Sequence, residues 1–133
     1  MYAEPVPLSV RWERACAFLD VDIASGYVRI LQEMIAAGWS DPVIADAVRA
    51  VLHGWFELLA RVVRREAAAG LDLGPFTPEE VGALMGLPFM GAEAALLLGV
   101  DEERLPIRSA LRKVGLILRH VETPDGGSWG SPR

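Results

Sequence analysis

The apolar positions of this chain recur with helical period almost throughout. Trp12, Ala15, Cys16, Leu19 and Ile23 follow one another at spacings of three and four, which predicts a helix beginning near Ser9 with that serine as its cap. The stripe resumes at Tyr27, Ile30, Leu31, Met34 and Ile35, and Gly26 marks a break or kink between the segments. Gly38, Trp39, Ser40, Asp41 and Pro42 punctuate the chain again, with a glycine suited to a helix C′ position, then an N-cap Asp and a Pro at the first helical residue. Beyond them Val43, Ile44, Ala47, Val48, Val51, Leu52, Trp55, Phe56, Leu59, Val62 and Val63 pair off against Asp46, Arg49, His53, Glu57 and Arg64. At 100° per residue this apolar set covers an arc of roughly 220°. So wide a face predicts a helix nearly surrounded by others, about 43 Å long if it runs to Ala69.

Thr77-Pro78-Glu79-Glu80 combines an N-cap Thr, a Pro at N1 and a Glu at N3, the signature of a capping box. The helix it opens carries Val81, Leu84 and Met85, then Pro88, which is expected to bend or split it, then Ala92, Ala95, Leu96 and Leu97. Gly82, Gly86, Gly91 and Ala92 are small enough to let another helix approach closely. After a loop from Gly99 to Leu105, a last helix begins near Pro106. Its residues Ile107, Leu111, Val114, Leu118 and Val121 form a 4-3-4-3 seam flanked by Ala110 and Ile117, with a basic opposite face. The pattern predicts an all-α domain of five to six helices over residues 9–122, an extended lead-in over 1–8 and a flexible tail over 123–133.

Composition supports a single core: 133 residues, 52% hydrophobic, mean hydropathy +0.28, and rich in Ala, Leu and Val. The longest weakly charged stretch, Met85 to Val100, contains Pro88 and Glu93 and falls short of the ~20 apolar residues that cross a bilayer. No secretory signal is legible at the N-terminus, so a cytoplasmic location without membrane contact is expected. The net charge of −5 makes the chain by itself a poor ligand for DNA. The arginine clusters at Arg61, Arg64, Arg65 and at Arg104, Arg108, Arg112, Arg119 read as solvated helix faces.

Sites for chemistry are sparse. His53 and His120 are far apart and outside any metal-ligand spacing, and Cys16, the sole cysteine, lies on an apolar stripe where an inert thiol is the ordinary case. There is no G-x-S-x-G, P-loop or G-x-G-x-x-G, and the carboxylate pairs Asp20/Asp22, Glu79/Glu80 and Glu102/Glu103 suit helix ends and turns. Neither a metal, nor a cofactor, nor catalysis is expected. What stands out is the set Trp12, Phe18, Tyr27, Met34, Trp39, Trp55 and Phe56, since rigid rings and adaptable thioethers line pockets for apolar small molecules as well as ordinary cores.

The long helix ending Arg-Arg-Glu-Ala-Ala-Ala-Gly, the run Thr-Pro-Glu-Glu-Val-Gly-Ala-Leu-Met, then Ala-Leu-Leu-Leu-Gly and the last helix together resemble the C-terminal regulatory domain of TetR-type transcriptional repressors, over about Val10 to Glu122. The resemblance implies an orthogonal helical bundle that binds an apolar effector between its helices. It also implies a homodimer in which the last two helices pair with the partner's as a four-helix bundle. It places the effector among the helices from Trp12 to Phe56, with Cys16 and Leu52 joining the rings and Met34 as lining residues. It places the dimer interface on Val81, Met85, Ala92 and Leu96 together with the seam from Ile107 to Val121. The family's helix-turn-helix half has no counterpart here, so contact with DNA is expected only through an upstream domain. The alternative is a helical interaction module that dimerises or docks on another protein without a ligand.

Overall fold

Helix boundaries follow the capping chemistry closely. The Asp41 carboxylate accepts hydrogen bonds from the backbone N–H groups of Val43 at 3.0 Å and Ile44 at 3.4 Å. The capping box forms in both directions: Thr77 Oγ1 accepts from Glu80 N–H at 3.1 Å and Glu80 Oε1 accepts from Thr77 N–H at 2.9 Å. Gly26 (φ 86°) and Gly99 (φ 78°) occupy the left-handed region that ends one segment and releases the next. The computed structural model describes residues 6–123; the first five residues of the expected lead-in, and the tail from 124 to 133, lie outside the described residues. Five helices result: α1 (Leu8–Ala24), α2 (Tyr27–Gly38), α3 (Pro42–Ala68), α4 (Pro78–Leu98) and α5 (Ile107–Glu122), with no strand among the described residues.

Three local expectations are corrected. Ser9 lies inside α1 and caps nothing; it is buried, and its hydroxyl and N–H donate to the Glu122 carboxylate at 2.5 and 3.2 Å, tying the start of α1 to the end of α5. Gly38 is the last residue of α2 rather than a left-handed C′, and what it provides is close approach: a methyl there would lie 3.2 Å from Ala45 Cα. Pro88 does not split α4, which runs as one continuous helix of 21 residues with the proline on its exposed side.

Packing is led by α3 against α4 and α1 against α5. At Gly82 a methyl would come within 3.0 Å of the Ala60 backbone N, and at Gly86 it would overlap the Phe56 ring and lie 3.0 Å from Leu59 Cδ1. These two glycines therefore set the spacing between α3 and α4. The core gathers Trp12 and Leu19 of α1, Phe89 and Ala92 of α4, and Ile107 and Leu111 of α5. The Trp12 indole N–H donates to the Leu111 carbonyl at 2.5 Å while its ring lies 4.7 Å from that of Phe89 at 59°. Arg108 bridges Asp20 and Glu102, and Arg119 meets Glu13 at 2.7 Å. These pairs lie at the surface, where solvent screening and side-chain entropy leave them weak.

Two faces remain uncovered. The broad apolar arc of α3 is not enclosed as expected: α2 and α4 take two of its sides, Val48, Ala60 and Val63 are buried, and Val43, Val51 and Leu58 stay exposed. On α4 a second stripe, Leu84, Leu87, Gly91, Ala94 and Leu98, is exposed at alternating spacings of three and four. By length and composition α4 is also the one described helix apolar enough to cross a membrane, with 17% of its apolar window buried. It begins seven residues before the Met85 start from which the sequence stretch was measured.

The spacing role of Gly86 is testable against a glycine with room around it. Gly86→Val is expected to destabilise the fold by about 1 to 3 kcal/mol in urea unfolding, since Phe56 and Leu59 must shift. Gly54→Ala, where nothing lies within 4 Å, should instead stabilise α3 by up to about 1 kcal/mol. Equal effects of the two changes would refute the assignment.

Candidate ligand-binding site

The inner faces of α1, α3 and α4 do not close on one another. Trp12, Ala15, Leu19 and Asp22 line up at spacings of three and four along α1, Trp55, Leu58, Leu59 and Val62 along α3, and Met85, Phe89 and Glu93 at every fourth position of α4. Between them lies a cavity of about 300 Å³. Its walls are apolar apart from Asp22, Glu93 and Arg11. A second cavity of about 480 Å³ adjoins it, with Tyr27, Val28 and Leu31 of α2 facing Val51, Leu52 and Trp55 of α3. Asp22, Trp55 and Glu93 line both, so the two spaces share an acidic wall. A third concavity, about 450 Å³, opens elsewhere, between Val81, Leu84 and Met85 of α4 and Val114, Ile117, Leu118 and Val121 of α5.

Glu93 is the unusual group. It is 9% exposed on a helix whose neighbouring inward residues are apolar, and among the described residues no cation pairs with it. Gln32 of α2 donates an amide hydrogen to the Met90 carbonyl at 3.0 Å, one turn before Glu93. Burial raises the Glu93 pKa, the Asp22 charge raises it further, and the Gln32 amide acts in the opposite direction.

The sequence-selected lining residues separate into groups. Trp12 and Trp55 line the first cavity, and Tyr27, Leu52 and Trp55 line the second. Phe56 stands behind the wall, its ring against Gly86 and 5.5 Å from that of Trp55. Phe18 (57% exposed), Met34 (40%) and Trp39 (82%) border neither cavity and lie on the surface. Cys16 is half-buried toward α5, beside Arg112, and burial of its thiol raises its pKa. The residues selected for the dimer interface divide as well. Ala92, Ile107 and Leu111 are buried in the core of this same chain, with Leu96, Val114 and Leu118 packed against it, because the seam of α5 is spent largely on α1. Met85 lines the first cavity, and Val81, Met85, Val114, Leu118 and Val121 border the groove between α4 and α5.

Sequence reasoning passed over Asp22, Leu58, Phe89 and Glu93. One signal was present: Glu93 is the lone charge between Val81 and Val100, four residues after Phe89 and eight after Met85. Among the described residues no group of three or more His, Cys, Asp or Glu could hold a metal ion. No protein-family model, no curated protein and no solved structure matches this chain.

A carboxyl whose pKa is raised on folding favours the folded state while protonated. That contribution is fully present below the ordinary unfolded value of about 4.3 and is lost as pH rises through the raised folded value. Glu93→Gln removes it. The variant should melt above the parent chain at about pH 7.5, and the gap should close toward about pH 4. A gap independent of pH in paired thermal melts would show that Glu93 carries no such burden.

Proposed function

We propose that this chain is the effector-binding and dimerising domain of a TetR-type transcriptional regulator, taking an apolar small molecule between α1, α3 and α4. The observation that carries the reading is the apolar cavity of about 300 Å³ faced by Trp12, Trp55 and Phe89, a size and lining suited to a small aromatic ligand. In this reading the helices form an orthogonal bundle in a cytoplasmic regulator. DNA contact belongs to a helix-turn-helix half outside this chain, consistent with a net charge of −5. Effector occupancy changes the spacing of α1, α3 and α4 and is thereby linked to DNA affinity.

Pairing with a second copy, so that α4 and α5 of both chains complete a four-helix bundle, is supported by surfaces left open in the single chain. The exposed 3-4 stripe of α4 has Gly91 and Ala94 at its middle, which lets a partner helix come close, and the groove between α4 and α5 is walled by apolar side chains. The same stripe is what a ligand-free interaction module would carry, so occupancy of the cavity separates the two readings.

Two measurements test the proposal. Apolar aromatics, neutral and charged, should quench the fluorescence of Trp12 and Trp55 saturably and raise the melting temperature, and Leu59→Trp, which fills the cavity, should abolish both effects. Absence of both effects with every compound would leave only the interaction module. In sedimentation, Leu87→Glu should convert a dimer to folded monomer, because Leu87 is 54% exposed in the single chain and loses only the partner. Leu111→Glu should unfold the chain outright, since that side chain is buried within it. A parent chain that sediments as monomer, or a Leu87→Glu dimer, would place self-association elsewhere.

A further inference from the structure

Seven carboxylates of the surface, Glu13, Asp20, Glu33, Asp46, Glu57, Glu79 and Glu102, each meet an arginine. Glu93, the most deeply placed, meets none, and the polar side chain that reaches its neighbourhood from α2 is the neutral Gln32 amide, bonded to the Met90 carbonyl. A glutamine in place of Glu93 would sit beside that amide without burying a charge, and an uncompensated buried carboxylate is costly. Asp22, the other acid on the shared wall, adds to the negative potential instead of relieving it. Arg11, the cation on the lining, stands eleven positions before Asp22 on the same helix. Its guanidinium is turned to the start of the chain, where Nε donates to the Val6 carbonyl at 3.2 Å, and it forms an ion pair with neither acid.

The rest of the lining is apolar, aliphatic side chains with the rings of Trp12, Trp55 and Phe89 among them, and aromatic rings attract cations as well as aromatic bodies. We infer that the cavity selects a cationic aromatic amine, its apolar body among Trp12, Trp55 and Phe89 and its ammonium against the Glu93 carboxylate. This inference rests on the reading of the cavity as a ligand site. A neutral ligand would leave Glu93 uncompensated, and an anionic one would face two carboxylates. An ammonium supplies the missing counter-charge and donates to the carboxylate oxygens, while Asp22, exposed at the edge of both cavities, holds the surrounding field negative.

Three compounds with one ring system separate the cases: 1-naphthylmethylamine, 1-naphthalenemethanol and 1-naphthoate, titrated calorimetrically into the full chain. The amine should bind at least about tenfold more tightly than the alcohol, and naphthoate most weakly, as a charge-assisted hydrogen bond to a buried carboxylate predicts. Glu93→Gln should bring the amine to the affinity of the alcohol and leave the alcohol unchanged. Asp22→Asn, a surface change that the fold tolerates, should lose part of the preference. Equal binding of amine and alcohol by the parent chain, or a preference that survives both substitutions, overturns the inference and leaves the cavity reading standing. Failure of all three compounds to bind overturns both.

Discussion

Trp12 occupies the point where α1, α4 and α5 meet, and the arrangement of the molecule follows from satisfying that one side chain. Its indole N–H finds the Leu111 carbonyl on α5, and its ring tilts against Phe89 on α4. A buried indole without an acceptor would cost about 1 to 3 kcal/mol, so α5 must lie along α1 with Leu111 opposite Trp12. Gly115, one turn further on, faces the same ring, and a methyl there would touch the indole at an ordinary contact distance of 3.4 Å. Ser9 with Glu122 and Glu13 with Arg119 then follow as neighbours along the same antiparallel pair.

The other half of the architecture is set by backbone proximity. Gly82 and Gly86 let α4 sit directly against Ala60 and Phe56 of α3. The two tightly joined pairs, α1 with α5 and α3 with α4, meet along Trp12, Phe89 and Met85. Their inner faces differ in how well they close. Small residues seal the contact between α3 and α4, whereas the space between this pair and α1, lined by Trp55, Leu59 and Phe89, stays open and carries Glu93 and Asp22. The cavity lies where the glycine-spaced pair α3 and α4 meets the pair that Trp12 joins.

Much of the secondary structure was legible because its signals are local. Asp41-Pro42 and the Thr77 capping box act within four residues, and their hydrogen bonds form where the sequence places them. Ser9 misled because its partner, Glu122, is 113 residues distant. The 4-3-4-3 seam of α5 was correctly seen as apolar, but periodicity states that a stripe is buried and not against what; α1 takes most of it. The aromatic residues show the same limit. Composition put Trp12, Trp39, Phe18 and Trp55 in one class, whereas the helix faces send Trp12 and Trp55 to the cavity and leave Trp39 and Phe18 outside. Glu93 was visible as a solitary charge, yet its meaning depends on Asp22 and Gln32 arriving from two other helices.

The central claim, a cavity that receives an aromatic amine against Glu93, is tested most directly by a crystal structure of the chain with a brominated naphthylmethylamine, located by the anomalous scattering of bromine. The account predicts one bromine peak among Trp12, Trp55 and Phe89 with the amine nitrogen within hydrogen-bond distance of the Glu93 carboxylate. A peak confined to the outer surface, or a cavity filled by its own Trp55 and Met85 side chains with no ligand density, would contradict it.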